Sequence, residues 1–320
     1  MNFPKLFLGP MSKNIVDVII NLNNFGLNIG LIPSRRQIDF NGGYVNNWTT
    51  EEFVQYVKER NKDIVICRDH GGPKQGIQED FGIASLITDC EYMDLIHIDP
   101  WKLDEDFMKC FEITANFINF CNKKNSKIMF EIGTEESIRS FKPDQLMYML
   151  TFMKKNVKCF NQIKYAVIQS GTNLKLDMNT GKYEENKLRE MIEICKLYNI
   201  LSKEHNGDYL DSSLIQSKFQ KGLDAINIAP EIGRMETECY LDKMDEKSFD
   251  KFFEICYNSN MWVKWLKGDN TFNPFENKLK LIKVCGHYVF SNSEFIKYFG
   301  DIDIKDCLYN KIKNRVGELI

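Results

Sequence analysis

The chain has 320 residues, a net charge of -3, 43% hydrophobic residues and 27% charged ones. It is long enough to bury a large core, and its lysines are spread along helix-like segments, so neither nucleic acid nor an anionic membrane is an expected partner. The ten cysteines stand singly with no C-x-x-C pair, the N-terminal apolar run is too short for a signal peptide, and no segment reaches membrane-spanning length; reduced, buried thiols in a cytoplasmic protein are expected.

Short apolar runs alternate with longer amphipathic ones. Strands are expected at Leu6 to Met11, Asn28 to Ser34, Ile64 to His70, Asp94 to Pro100, Lys127 to Gly133, Lys164 to Gly171, Ile200 to His205 and Ala225 to Glu231. Helices are expected between them at Lys13 to Asn24, Thr50 to Glu59, Leu103 to Asn122, Pro143 to Asn156 and Glu184 to Tyr198. Eight βα repeats point to a (β/α)8 TIM barrel, an α/β fold whose closure leaves no exposed edge. No G-x-G-x-x-G or Walker-type loop follows the first strand, which argues against an open nucleotide-binding sheet. The barrel is assigned to residues 1–245, and 246–320 to the last barrel helix and a helical C-terminal extension packed on the barrel. Within that extension His287 fits a lid, a partner surface or a satisfied core position.

In a barrel of this kind the carboxyl ends of the strands form the mouth where substrates bind. The third strand runs straight into Arg68, Asp69 and His70, followed by a Gly/Pro-rich turn. Other expected exits contribute Arg35, Arg36 and Gln37, then His97 and Asp99, Glu131 and Glu135, Gln169 and Ser170, and finally His205 and Asp208. Three of the four histidines lie at exits with carboxylates beside them, a donor set that suits a divalent ion: zinc first, with manganese, nickel or iron as alternatives. His70, His205 and Glu135 are the expected ligands. Asp69, Asp99 and Glu131 are the candidates for proton transfer. Arg35, Arg36 and Arg68 are expected to hold an anionic group, since a guanidinium fork matches phosphate or carboxylate. Gln37, His97, Gln169, Ser170 and Asp208 complete the expected substrate contacts. No G-x-S-x-G elbow supports serine catalysis, and Lys164 and Lys203 are weak Schiff-base candidates.

Several short motifs carry a family resemblance. They are Gly42-Gly43-Tyr44 followed by Thr50 and Phe53, Asp69-His70 with Gly72-Pro73, His97-x-Asp99, Ile132-Gly133-Thr134-Glu135, Gln169-x-Gly171, and His205 with Asp208-Tyr209. In these the chain resembles the GatZ/KbaZ group, the non-catalytic subunits of class II tagatose-bisphosphate aldolases, and the related metal-dependent ketose 4-epimerases. The resemblance implies a TIM barrel akin to class II aldolases, with Asp69 moving a proton and His70 binding metal. Departures are Arg35-Arg36 where the family usually has Ser-Asn, a helix-bound Glu136-Ser137-Ile138-Arg139 in place of a Pro/Gly-rich loop, and Glu131, which has no counterpart. The expected activity is metal-dependent cleavage or epimerisation of a ketose or related sugar, phosphorylated or acidic, through retro-aldol or enediolate chemistry. The alternatives are a stabilising subunit of a partner aldolase and a sugar-binding barrel without turnover; the sugar or sugar phosphate, a second copy of the chain and an aldolase subunit are the partners these readings admit.

Overall fold

The protein is described by a computed structural model for residues 3–175, 178–266 and 272–320. Eight strands form its barrel: Leu6–Leu8, Ile29–Leu31, Cys67–Gly71, Leu95–Ile98, Met129–Ile132, Ile163–Val167, Leu201–Glu204 and Ala225–Ile228. Each is shorter than its apolar run, because pairing stops where the chain bends out into a loop. The strands pair in parallel in the spatial order two, one, eight, seven, six, five, four, three. Bridges between Leu31 and Ile66 and between Ser34 and Asp69 join the two ends, so the sheet closes on itself as a (β/α)8 barrel.

Helices Lys13–Asn24 and Pro143–Asn156 match their expected bounds, and Thr50–Arg60, Phe107–Lys124 and Glu185–Leu197 shift by a few residues. The late start of Phe107–Lys124 is fixed by Asp106, whose side chain accepts from the Met108 amide as an N-cap. Ile83–Tyr92, Ser212–Gln220 and Pro230–Leu241 were not anticipated. The last of these begins where the eighth strand was expected to continue. Pro230 lacks an amide proton and has a helix-compatible φ, so it opens a helix at N1 instead of extending the strand. The helix following the eighth strand is thus Pro230–Leu241, and Glu246–Asn258 comes after it.

The chain ends in Lys305–Leu319, which packs on Lys13–Asn24, Ser212–Gln220 and Pro230–Leu241. This packing brings Cys239 and Cys307 to a Cα separation of 5.9 Å, and they form a disulfide. The expectation of ten reduced thiols is corrected at that pair, while the other eight cysteines are free and buried. His287 belongs to the same packing. It is buried between Gly233, where any Cβ would lie 2.9 Å from its own, and Tyr288, whose ring centroid is 4.0 Å away. Among the described residues no helix is long and apolar enough to cross a membrane.

Strand alternation sorts the barrel residues by direction. Phe7, Ile32, Val65, Cys67, Leu95, Tyr165 and Ala225 form one apolar cluster that fills the barrel interior. Arg68, one residue past Cys67, points the other way, into the helical layer. There its guanidinium is fully buried, 2.7 Å from Asp89 Oδ1 of Ile83–Tyr92, and it donates to the carbonyls of Pro33 and Ile38 and to Thr50 Oγ1. Arg68 is a strut between strand and helices. Removing one member of a buried ion pair leaves the other charge stranded, so Arg68→Met should destabilise the fold by roughly 3 to 5 kcal/mol, read from denaturant unfolding. A change below about 1 kcal/mol would contradict the structural role.

Candidate active site

Adjacent residues of a regular strand face opposite sides, yet Asp69 and His70 both line the cavity at the mouth. Two local features make this possible. The pairing of the third and fourth strands shifts register between Arg68 and Gly71, and His70 adopts a left-handed φ of 48°. The turned-back backbone aims the imidazole inward beside the Asp69 carboxylate. Such a conformation is costly for a residue with a Cβ and is held here by the contacts His70 makes.

Those contacts belong to a group of three imidazoles. His70, His97 and His205 have ring centroids 4.8 to 5.3 Å apart. In each ring one nitrogen is taken by an acceptor: His70 Nδ1 by Asp99 at 2.5 Å, His97 Nε2 by the Gly133 carbonyl at 2.9 Å, and His205 Nε2 by Glu131 at 2.5 Å. The other nitrogens turn towards a common space, where Asp69, His70, His97 and His205 each offer a ligand atom within 4.8 Å of the rest. His97 Nδ1 also lies 3.3 Å from the His70 amide. Asp69 Oδ1 is buried without a hydrogen-bond partner, 3.7 Å from His70 Nε2 and 3.6 Å from His205 Nδ1. An acceptor behind each ring and an orphaned carboxylate oxygen in front of two of them fit a divalent cation.

The charges beneath are set by burial and pairing. Burial alone would raise the Glu131 pKa, but Lys203, 2.7 Å away, and His205 hold it well below the usual carboxylate range. Asp99 is likewise buried, and its hydrogen bond from His70 brings it down to about 2. For His70 burial is outweighed by Asp69 and Asp99, which lift it to about 10, whereas burial takes His97 down to about 4.

The structure redistributes the expected roles. Glu131 and Asp99 stay at the site, but both are fully buried and locked to imidazoles, so they orient rings and do not reach a substrate. His97 is also fully buried and joins the imidazole group, not the substrate contacts. Glu135 lines the cavity outside the four-residue cluster, its carboxylate accepting from Ser137. Arg35 is sealed between Asp39 and Asp80 and holds the carbonyl of Gly72, which leaves no edge for an anion. Arg68 is withdrawn in the same way. Gln169 spans the Phe141 amide and the carbonyls of Thr134 and Arg139, and Ser170 accepts from buried Lys218. Arg36, Gln37 and Asp208 do line the cavity.

Sequence reasoning missed Asn206, Asn227, Lys264 and Tyr288 on the cavity wall. Asn227 was signalled, as an inward polar position in the apolar run Ala225–Ile228. Lys264 and Tyr288 come from the extension, where no periodicity ties residue to site. Lys203 is bound to Glu131 and fully buried, and Lys164 donates outward to the Asn161 carbonyl, so neither is free for a Schiff base.

No family model matches the chain, and no curated protein matches it. Solved structures do. A probable tagatose 6 phosphate kinase from Sinorhizobium meliloti 1021 superposes with a TM-score of 0.71 at 14% identity, covering 98% of this chain and 94% of that one. The fructuronate-tagaturonate epimerase UxaE from Cohnella laeviribosi, with glycerol bound, gives 0.67 at 9% identity over 99% and 81%. The YdjI aldolase from Escherichia coli K12 gives 0.56 at 12% over 98% and 91%. The chain therefore shares its barrel fold with these three proteins.

Two outcomes follow from the ring geometry. Asp99→Asn removes the charge behind His70 while keeping its shape, and should weaken zinc binding by about 10- to 100-fold with the fold intact, measured by chelator competition. Because an ion must displace the His70 proton, metal affinity should rise with pH, by roughly tenfold per unit below the His70 value, with about one proton released per ion at neutral pH. Titration calorimetry in buffers of different ionisation enthalpy reads that proton, and an affinity flat from about pH 6 to pH 9 would refute the assignment.

Proposed function

We propose that the chain is a metal-dependent enzyme that cleaves or epimerises a ketose or related acidic or phosphorylated sugar. The observation that carries this reading is the three-imidazole group, each ring held from behind, with the unpartnered Asp69 oxygen against it. His70, His97 and His205 would hold the ion, and zinc suits a donor set of neutral imidazoles. Bound there, the ion supplies Lewis acidity towards a substrate carbonyl.

The chain's own residues do the rest. Asp69 takes the proton from the hydroxyl next to the bond that breaks and returns it when the bond re-forms. Release of the aldehyde fragment gives an aldolase; re-addition to its other face gives an epimerase. Asn206 and Asn227 offer amide groups to the substrate hydroxyls from the cavity wall, whereas the Gln37 amide accepts from the Ser34 amide and donates to Met11 Sδ. Asp99 and Glu131 keep the imidazoles in one tautomer and orientation throughout. The apolar layer below excludes water from the far side of the site.

His70→Ala and His205→Ala should each lower metal content without unfolding the chain, by metal analysis and circular dichroism. Asp69→Asn should retain metal and stability yet lower turnover by roughly two to four orders of magnitude in a ketose cleavage and epimerisation screen. The screen is run with the protein alone and mixed with class II aldolases. Activity that appears only in the mixture and is indifferent to Asp69→Asn would replace this reading with that of a helper subunit.

A further inference from the structure

Barrels of this fold frequently bind phosphate with the loops after strands seven and eight and a helix N-terminus nearby. Here that place is taken. Asp208, after the seventh strand, accepts from the amides of Ala229 and Glu231 at 3.0 and 2.8 Å, at the start of helix Pro230–Leu241. The Glu231 carboxylate stands beside it, accepting from the Tyr209 amide and pairing with Arg315 at 2.7 Å. Burial and Glu231 raise the Asp208 pKa to about 8. An incoming anion would have to displace the Asp208 carboxyl group in front of the Glu231 carboxylate.

The opposite sign gathers elsewhere on the same wall. Arg36 and Lys264 both line the cavity at its exposed rim, and among the described residues neither makes an ion pair with a carboxylate. Their fields reach one another, and Lys102 adds a third positive charge. Lys264 Nζ lies 4.6 Å from the Tyr288 ring centroid, and Tyr288 packs edge-on against Tyr44 at 4.8 Å. Two neighbouring cations without a counter-charge repel each other, and an anion between them removes that cost. Lys264 stands at the exposed rim, where packing around its ammonium and the charges of Arg36 and Lys102 lower its pKa, a shift that a bound anion would oppose.

We infer that the anionic group of the sugar is recognised by Arg36 from the second βα loop and Lys264 from the C-terminal extension, and that the helix Pro230–Leu241 is closed to it by Asp208. This rests on the proposed sugar chemistry and adds to it the residues that select the substrate. Both a carboxylate and a phosphate would satisfy the pair.

The test is calorimetric titration of the zinc-loaded protein with D-fructuronate, D-fructose 6-phosphate and neutral D-fructose, with zinc content measured in the same samples. At least one anionic sugar should bind tenfold or more tighter than D-fructose, and the tighter of the two identifies carboxylate or phosphate. Arg36→Met and Lys264→Met should each weaken that sugar by about 10- to 100-fold, the loss of a charge-assisted contact, while leaving D-fructose binding and zinc content unchanged. Lys264→Arg should restore most of the affinity. Equal binding of all three sugars, no binding of any, or anion affinity unchanged in both Met variants would overturn the inference. A protein that keeps its zinc but ignores charge loses only this inference, whereas one that never held zinc loses the reading beneath it.

Discussion

Glu131 is a fully buried carboxylate inside the barrel, and the orientation of His205 above it depends on its staying ionised. Lys203 makes that possible, since a buried charge is tolerable only when paired and hydrogen-bonded. The ammonium of Lys203 also sits 3.9 Å above the Phe7 ring, a cation-π contact that ties the pair to the apolar layer below. The other Glu131 oxygen accepts from His205, so one carboxylate sets the tautomer of that ring and thus which nitrogen faces the cavity. The interior is stratified along its axis: apolar residues, an ion pair, imidazoles, then the open mouth.

The extension has a second relation to the barrel besides covering it. Through Lys264 and Tyr288 it forms part of the cavity wall, so the site is built from two regions of chain far apart in sequence. The Cys239–Cys307 link fastens the last helix to the helix after the eighth strand, and the aromatic packing of Tyr240, Phe252, Phe290 and Phe295 continues from barrel helix to extension. The cavity wall contributed by the extension therefore rests on ordinary core packing.

The barrel was legible because apolar runs alternate with amphipathic ones, and that period is a direct imprint of burial. What failed was the direction of single side chains. Arg68 and Asp69 are neighbours at one strand exit, and only alternation relative to inward Cys67 tells that the first serves the helical layer and the second the cavity. The same rule separates Glu204, which pairs with Lys218 outside the barrel, from His205 inside it. His70 could not be placed by any such rule, since its inward aim depends on a register shift and a left-handed backbone. Arg35 was misread for a different reason: its partners include Asp80, 45 positions away, in a loop whose course is invisible from local pattern. The Cys239–Cys307 bond was equally hidden, because its partners meet through helix packing across 68 positions.

The plug at the base of the barrel bears on proton traffic. Phe7, Ile32, Val65 and Leu95 line the base of the barrel, and among the described residues the groups of this layer that hydrogen-bond Glu131 are the Lys203 ammonium, which has donors but no acceptor to pass a proton along, and the Cys67 thiol, whose ionisation burial opposes. The open approach to Asp69 is therefore the cavity at the mouth. The barrel is vectorial in this sense: solvent and any ligand reach Asp69 from the same side, so a ligand that fills the mouth would confine with it whatever proton that carboxyl carries.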